Sequence, residues 1–421
     1  MQIPTTGIAL WNCRSSTPSN PQPDSWGGLS DRPSYNFLMR PLISALAISF
    51  SLAASAATVP DRFETIARQA DTARSQERVP EAIRLYREGT RLRPSWTDGW
   101  WYLGSLLYDQ DRFSEAAIAF QHLLASTSHR GPAFAFLGLC EYETGSYDSA
   151  LAQFRAWAGA GWGGTPELRD VAIYHFALLL TRDGKFVESL YLLAPLAQRL
   201  GDNPELAEAM GLASLRMRYL PENYPPEQRE RIWLAGKAAL YAAQSPKDFE
   251  RADEYAARLE SHYGTQPEVH YFRGTLYGFE ANNAEAEREY REELKISPNH
   301  VPSLDALAGF DLEKNDLAEA GALARRAVAA DSNDAEAHHL LGRVLLANGD
   351  LHTAAAELEK AKQLAPENPL VRSHLAMVYT KLGRTQEAKT EAAAFLTLKN
   401  KEEVMAPAKE KLGEEKPEST R

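Results

Sequence analysis

Cysteine is nearly absent from this 421-residue chain: there are two, Cys13 and Cys140. Neither a disulfide framework nor a cysteine metal cage can then hold the fold, so stability must come from buried apolar surface. Basic runs are missing as well. Lys and Arg number 46 against 57 Asp and Glu, a formal net charge of −11, which disfavours a grip on nucleic-acid phosphates or an anionic membrane surface. Signatures of catalysis and metal binding are also lacking. No H-x-x-x-H, H-E-x-x-H, C-x-x-C, G-x-S-x-G or G-K-[ST] occurs. His338-His339 is the only close histidine pair, and adjacent residues on a helix point about 100° apart. Gly159-Ala160-Gly161-Trp162-Gly163-Gly164 matches G-x-G-x-x-G formally. A dinucleotide loop needs a strand before it, whereas a helical pattern precedes this one, so it reads as a turn. No enzyme, cofactor or metal is expected.

Long hydrophobic runs are confined to one place. Residues 1–38 are rich in Pro, Ser, Asn and Gly without periodicity, and read as a disordered or mis-assigned extension. Met39-Arg40 then opens the apolar run 42–52, followed by Ala53-Ala54-Ser55-Ala56-Ala57. A basic residue, a short apolar stretch and an Ala-x-Ala site make a secretory signal over 39–56, with cleavage after Ala56. The expectation is an exported chain, periplasmic or secreted, with no membrane span after cleavage. The alternative is an uncleaved N-terminal helix anchored in the inner membrane. Cleavage would leave Cys140 as the sole cysteine, a buried and inert thiol.

What is abundant is repetition. From about residue 63 helical patterns follow one another with turn residues between. Trp100-x-x-Leu103-Gly104 recurs as Phe134-x-x-Leu137-Gly138, with the glycines 34 residues apart. Ala82, Ala116 and Ala150 share that spacing, as do Gly274, Ala308, Gly342 and Ala376, and Ala286, Ala320, Ala354 and Ala388. Pro94, Pro298 and Pro366 close three units. The period and the W-x-x-L-G … A-x-x-x-F … A … P skeleton resemble the tetratricopeptide repeat.

That resemblance implies an all-α fold, a right-handed α-solenoid of stacked helix-turn-helix repeats. About ten units would span 57–402, with a degenerate middle near 204–266 and a disordered charged tail over 403–421. A small residue on the first helix of each unit (Gly104, Gly138, Gly274, Gly342) should let the second helix approach. Ala116, Ala150, Ala286 and Ala354 should face that approach, and Phe120, Phe154, Tyr290 and Leu358 should fill the gap to the next unit. A proline-rich insertion at 219–230 interrupts the series.

The resemblance also places a partner groove along the first helices. Its groove positions fall here on Trp101, Tyr108, Tyr142, Tyr174, Tyr271, Phe279, His339 and Arg343. Aromatics and Arg carry much of the energy of protein interfaces. The Lys, Asn and Arg clamp by which one subtype holds C-terminal carboxylates is absent: its positions carry Trp101, Ser105, Ala135 and Leu139, or Asp305, Gly309, His339 and Arg343. The functional expectation is a non-catalytic interaction scaffold at a bacterial cell envelope, binding an unidentified protein or peptide. The alternative is a small-ligand or glycan-binding module using groove aromatics, with Asp98 and Asp109 nearby.

Overall fold

The computed structural model describes residues 61–126, 131–244 and 246–411, with side chains through residue 400. The expected extension 1–38 and signal 39–56 lie outside the described residues, as does the tail from 412. Among the described residues there are nineteen α-helices and no strand. The chain forms two compact units that divide between Ala172 and Ile173.

The first unit contains α1 (Arg62–Ser75), α2 (Val79–Leu92), α3 (Thr97–Tyr108), α4 (Phe113–Ser126), α5 (Gly131–Glu143) and α6 (Tyr147–Gly159). These pair as α1/α2, α3/α4 and α5/α6, and each hairpin packs on the next through α2–α3 and α4–α5. α7 (Pro166–Arg182) starts in this unit and runs into the second. The Gly-rich stretch 159–164 links α6 to α7. Trp162 there is buried at positive φ, and Trp157 donates its indole N–H to the Gly163 carbonyl at 2.8 Å. The stretch is an inter-helix turn without a strand.

The second unit continues with α8 (Phe186–Leu200), α9 (Pro204–Ser214), α10 (Arg229–Ala243), α11 (Phe249–Tyr263), α12 (Val269–Phe279) and α13 (Asn283–Ile296). It ends with α14 (Val301–Glu313), α15 (Leu317–Ala330), α16 (Ala335–Ala347), α17 (Leu351–Leu364), α18 (Pro369–Lys381) and α19 (Thr385–Lys411). α19 therefore carries helix through 403–411, which composition had assigned to a disordered tail. Lys, Glu and Ala dominate there, and all are good helix formers.

Local signals explain the helix boundaries. Asn203, Asp248, Asn282, Asp316, Asp334, Asp350 and Asn368 each cap a helix by accepting a backbone N–H. Such caps satisfy donors that have no intrahelical partner. Each hairpin turn needs one left-handed residue, and these recur with the repeat: Glu77, Asp111 and Gly145, then Ala281, Asn315, Gly349 and Gly383.

The packing scheme centres on the eighth residue of each unit. A Cβ at Gly104 would stand 2.8 Å from the Phe120 ring, and one at Gly138 would stand 2.8 Å from Phe154. The same position gives 2.6 Å to Tyr290 from Gly274 and 2.6 Å to Leu358 from Gly342. Ala116, Ala150, Ala286 and Ala354 are fully buried beside these contacts. The large residues thus cover the glycine of their own hairpin. Phe120 and Tyr290 also reach the following hairpin, with ring centroids 5.2 Å from Phe136 and 6.2 Å from Phe310.

The degenerate middle has a specific cause. After α9 the expected second helix is replaced by residues 215–228, irregular but for a short 3₁₀ turn at Pro226–Gln228. α10 closes directly on α9 instead, and it also forms a hairpin with α11. The eighth-position glycines then oppose each other's backbone. A Cβ at Gly211 would lie 2.0 Å from the Ile232 carbonyl oxygen, and one at Gly236 would lie 1.8 Å from that of Ala207. One helix shared by two neighbours makes the helix count odd. Leu220 and Tyr224 of the insertion are buried, and Tyr224 bonds Glu208 of α9.

These distances rank substitutions. Gly104→Ala and Gly342→Leu meet side chains that can give way, so a loss on the order of 1–3 kcal/mol is expected. Gly236→Ala meets main chain that cannot rotate aside, and should lose more despite a helix-propensity gain of about 1 kcal/mol. Thermal melts in which Gly236→Ala proves more stable than Gly104→Ala would contradict this packing.

Candidate functional site

In the first unit, the first-helix face around α1 and α3 brings rings and charges together. Trp96 fits where only glycine permits it: Cβ atoms at Gly89 and Gly99 would come within 2.5 and 2.2 Å of its ring. Its edge also meets Phe63 at 5.1 Å. The Arg74 guanidinium lies 4.0 Å over the Tyr102 ring and donates to Tyr86 Oη at 3.0 Å. Tyr86 in turn donates to Asp71 at 2.6 Å. Burial pushes the phenols of Tyr86 and Tyr102 up, so both stay protonated donors. Asp71, Arg74, Trp96, Asp98 and Tyr102 line an open cleft of about 440 Å³.

The expected groove residues of this unit divide. Trp101 is half-buried, edge-on to Phe120 at 6.0 Å and Phe136 at 5.7 Å. Tyr108 is wedged edge-on between Phe113 at 5.4 Å and Phe136 at 5.3 Å, and burial raises its phenol. Both therefore pack between hairpins, and Tyr142 meets Tyr147 at 5.4 Å. The cleft residues were missed because ring size guided the choice. Asp71, Arg74 and Ser75 on α1 and Asp98 on α3 occupy the same groove register that pointed to Trp101, so their charges were the available signal.

In the second unit, Tyr174 on α7 is half-buried. Tyr271 packs against Tyr290, His300 and the Arg216 guanidinium, at 5.7, 4.9 and 5.9 Å. Phe279 is 62% exposed, with the Lys247 ammonium 5.9 Å from its ring. His339 is buried rather than open to a groove. Its Nδ1 is 3.3 Å from the Glu336 carboxylate and its Nε2 is 3.0 Å from His374 Nδ1. The His339 bond holds the Glu336 carboxyl below its usual range, while burial and His339 lower His374. Arg343 sits near this chain, half-buried, with no hydrogen-bond or ion-pair partner among the described residues. Asp305 on the neighbouring α14 has a buried oxygen without a hydrogen bond, and burial beside Asp334 and Glu336 pushes its carboxyl up to about 8.

Charged pairs recur inside the second unit with the repeat. His270 Nδ1 lies 2.6 Å from Glu289, His338 Nδ1 lies 2.6 Å from Glu357, and Arg372 lies 2.9 Å from Glu391. These are one pair of register positions, the fourth and twenty-third of each unit. In two hairpins both members are apolar and buried: Leu304 with Leu323, and Ile66 with Leu85 in the first unit. Glu260, His270 and Glu289 also place ligand atoms within 4.8 Å of one another. The Arg273 guanidinium reaches Glu260 at 3.0 Å and Glu289 at 3.9 Å, supplying the positive charge a cation would bring. The group is an ion-pair network of helix packing. Cys140 is buried, and burial raises its thiol, so it stays protonated and unreactive.

The architecture is thus one of helical hairpins repeated at a fixed spacing, with an open cleft on the first-helix face of α1 and α3. Two family models match within it: "Tetratricopeptide repeat" over residues 68–130, and "Anaphase-promoting complex, cyclosome, subunit 3" over residues 313–392. Human "Tetratricopeptide repeat protein 7B" is 32% identical over 142 residues, which is 33% of this chain and only 16% of that relative's length. Among solved structures, a MamA RS-1 double mutant is 20% identical, covering 41% of this chain and 96% of its own, with a TM-score of 0.36. YrrB, titled "a TPR protein with an unusual peptide-binding site", is 18% identical over 44% of this chain and 94% of its own, with a TM-score of 0.34. These sequence matches support a protein of the tetratricopeptide-repeat superfamily.

Asp305 offers a pH test of the second unit. A carboxyl raised in the folded state favours the fold while protonated, and that advantage is lost as pH rises through about 8. Asp305→Asn should therefore raise the thermal midpoint above that pH and leave it unchanged near pH ~4, the ordinary carboxyl range. An equal gain at both pH values would show that ionisation is not the cause.

Proposed function

We propose that this chain is a non-catalytic scaffold that holds a protein or peptide partner along the first-helix faces of its repeats. The observation that carries the reading is the α1/α3 cleft. It combines two ring walls, Trp96 and Tyr102, with the carboxylates of Asp71 and Asp98 and the Arg74 guanidinium. An open cleft with both charge signs and exposed π surface suits an extended peptide, whose backbone and side chains need donors, acceptors and apolar contact together. The acidic balance of the chain argues against nucleic acid as the partner.

A second reading has support from the same residues. Rings beside carboxylates also suit a sugar, so a glycan remains the rival ligand for this cleft. Display selection of peptides on the full chain, with oligosaccharides as competitors, separates the two. Selected peptides should bind at least about tenfold more weakly to Asp98→Lys and Tyr102→Ala, a loss of about 1.4 kcal/mol. Tyr108→Ala should instead lower the melting temperature, because its ring is packed. Peptide binding indifferent to both cleft variants would overturn the peptide reading, and displacement by an oligosaccharide would favour the glycan.

We also propose that the chain acts at the bacterial cell envelope after export. The Met39-Arg40 start of the apolar run and the Ala-x-Ala site support this. Mass spectrometry of the purified native protein should find Ala57 as the first residue. A chain that retains residues 42–52 would point to the membrane-anchored form instead.

A further inference from the structure

The second-helix side of the first unit carries a different cleft, between α2 and α4. It encloses about 370 Å³ over a floor of Leu103, Leu107 and Ala119. Its origin lies in the paired fourth and twenty-third positions. In this hairpin they hold Trp100 and Ala119, a large residue opposite a small one. In the other regular hairpins the twenty-third position brings a longer side chain, Leu85, Gln153, Glu289, Leu323, Glu357 or Glu391. Trp100 cannot swing in to close it. Its indole N–H donates to the Pro94 carbonyl at 2.8 Å, and its ring stacks on His122 at 4.4 Å and 14°. The indole is fixed as a wall, and the slot stays open.

The rim adds charge. Arg87 is bonded to Glu115, which also holds Arg112 at 2.6 Å. Arg91 lies on the same rim, exposed, with no hydrogen-bond or ion-pair partner among the described residues. Two guanidiniums, Arg87 and Arg91, thus share the rim with one carboxylate that Arg112 also neutralises from outside it, in a chain whose net charge is −11. At the lip, Ile118 leaves 54% of its surface exposed.

We propose that this slot is a second docking site, taking one large apolar side chain of an acidic peptide segment from a partner protein. The side chain enters against Trp100, Leu103 and Leu107, and a carboxylate one or two residues away pairs with Arg91. The positive rim selects the charge of the segment. The volume, at the small end of ligand sites, selects a single large side chain. The site is separate from the α1/α3 cleft, so two ligands can be held at once by one three-hairpin stack.

The test uses acetylated, fluorescein-labelled octapeptides of Asp and Glu with a central Phe, Leu or Ser, titrated onto the full chain by fluorescence polarisation. Phe and Leu peptides should saturate, and the Ser peptide should bind at least about tenfold more weakly. Arg91→Glu should weaken the Phe peptide about tenfold and flatten its salt dependence, since it removes the screened charge contact. Ile118→Glu, an exposed position that leaves the fold intact, should weaken it as well. Asp98→Lys and Tyr102→Ala should change nothing, which keeps this site distinct from the first-helix cleft. Absence of saturation up to about 1 mM, or binding indifferent to Arg91→Glu and Ile118→Glu, would overturn the proposal. So would loss of binding in Tyr102→Ala alone.

Discussion

The contact of a first-helix glycine with a large second-helix side chain sets the spacing from which the rest follows. At Gly104, Gly138, Gly274 and Gly342 even a methyl group would overlap the ring or isobutyl group opposite. The hairpin closes to the distance at which Phe120, Phe154, Tyr290 or Leu358 lies flat over bare backbone. Dispersion between closely packed atoms is weak per pair but large when summed over a buried aromatic. Because the eighth position is small at every 34-residue step, glycine in four hairpins and Ala70, Ala308 or Ala376 in others, each hairpin presents a similar surface to the next, and stacking needs no long-range pairing.

Much of this was legible in the sequence because small and large residues alternate at a fixed period. The eighth-position glycines and the alanines of the second helices stand where the spacing put them. Other features were not legible. The left-handed turn residues recur at the same period, but Glu77, Asp111 and Ala281 give no hint of positive φ. The middle was visible only as a lapse of pattern. A missing helix and a poor match look alike in a string of letters, and only the backbone contact between Gly211 and Gly236 distinguishes them.

The candidate site was less legible than the fold. Trp101 and Tyr108 were singled out for their size, yet size is also what inter-hairpin packing requires, and both rings are edge-on to Phe136. His339 was expected to face a groove, but it lies inside a chain from Glu336 to His374. The residues that do line an open cleft, Asp71, Arg74 and Asp98, are charged and unremarkable one by one. They become a site through the helical spacing that aligns α1 with α3. The coupled fourth and twenty-third positions are similar: a histidine and a glutamate nineteen residues apart acquire meaning only when Leu304 and Leu323 show the apolar version of the pair.

The shared helix α10 changes how the array comes apart. In an ordinary stack each hairpin touches only its two neighbours, so fraying that begins at one end can proceed unit by unit. α10 belongs to two hairpins at once, and its backbone is pressed against α9 through facing glycines. Neither neighbour can peel away without exposing a helix that is buried nearly all round, with eleven of its fifteen residues buried, nine of them uncharged. Residues 204–263 therefore melt together or not at all, a firebreak within the second unit that holds against unravelling from the C-terminal end.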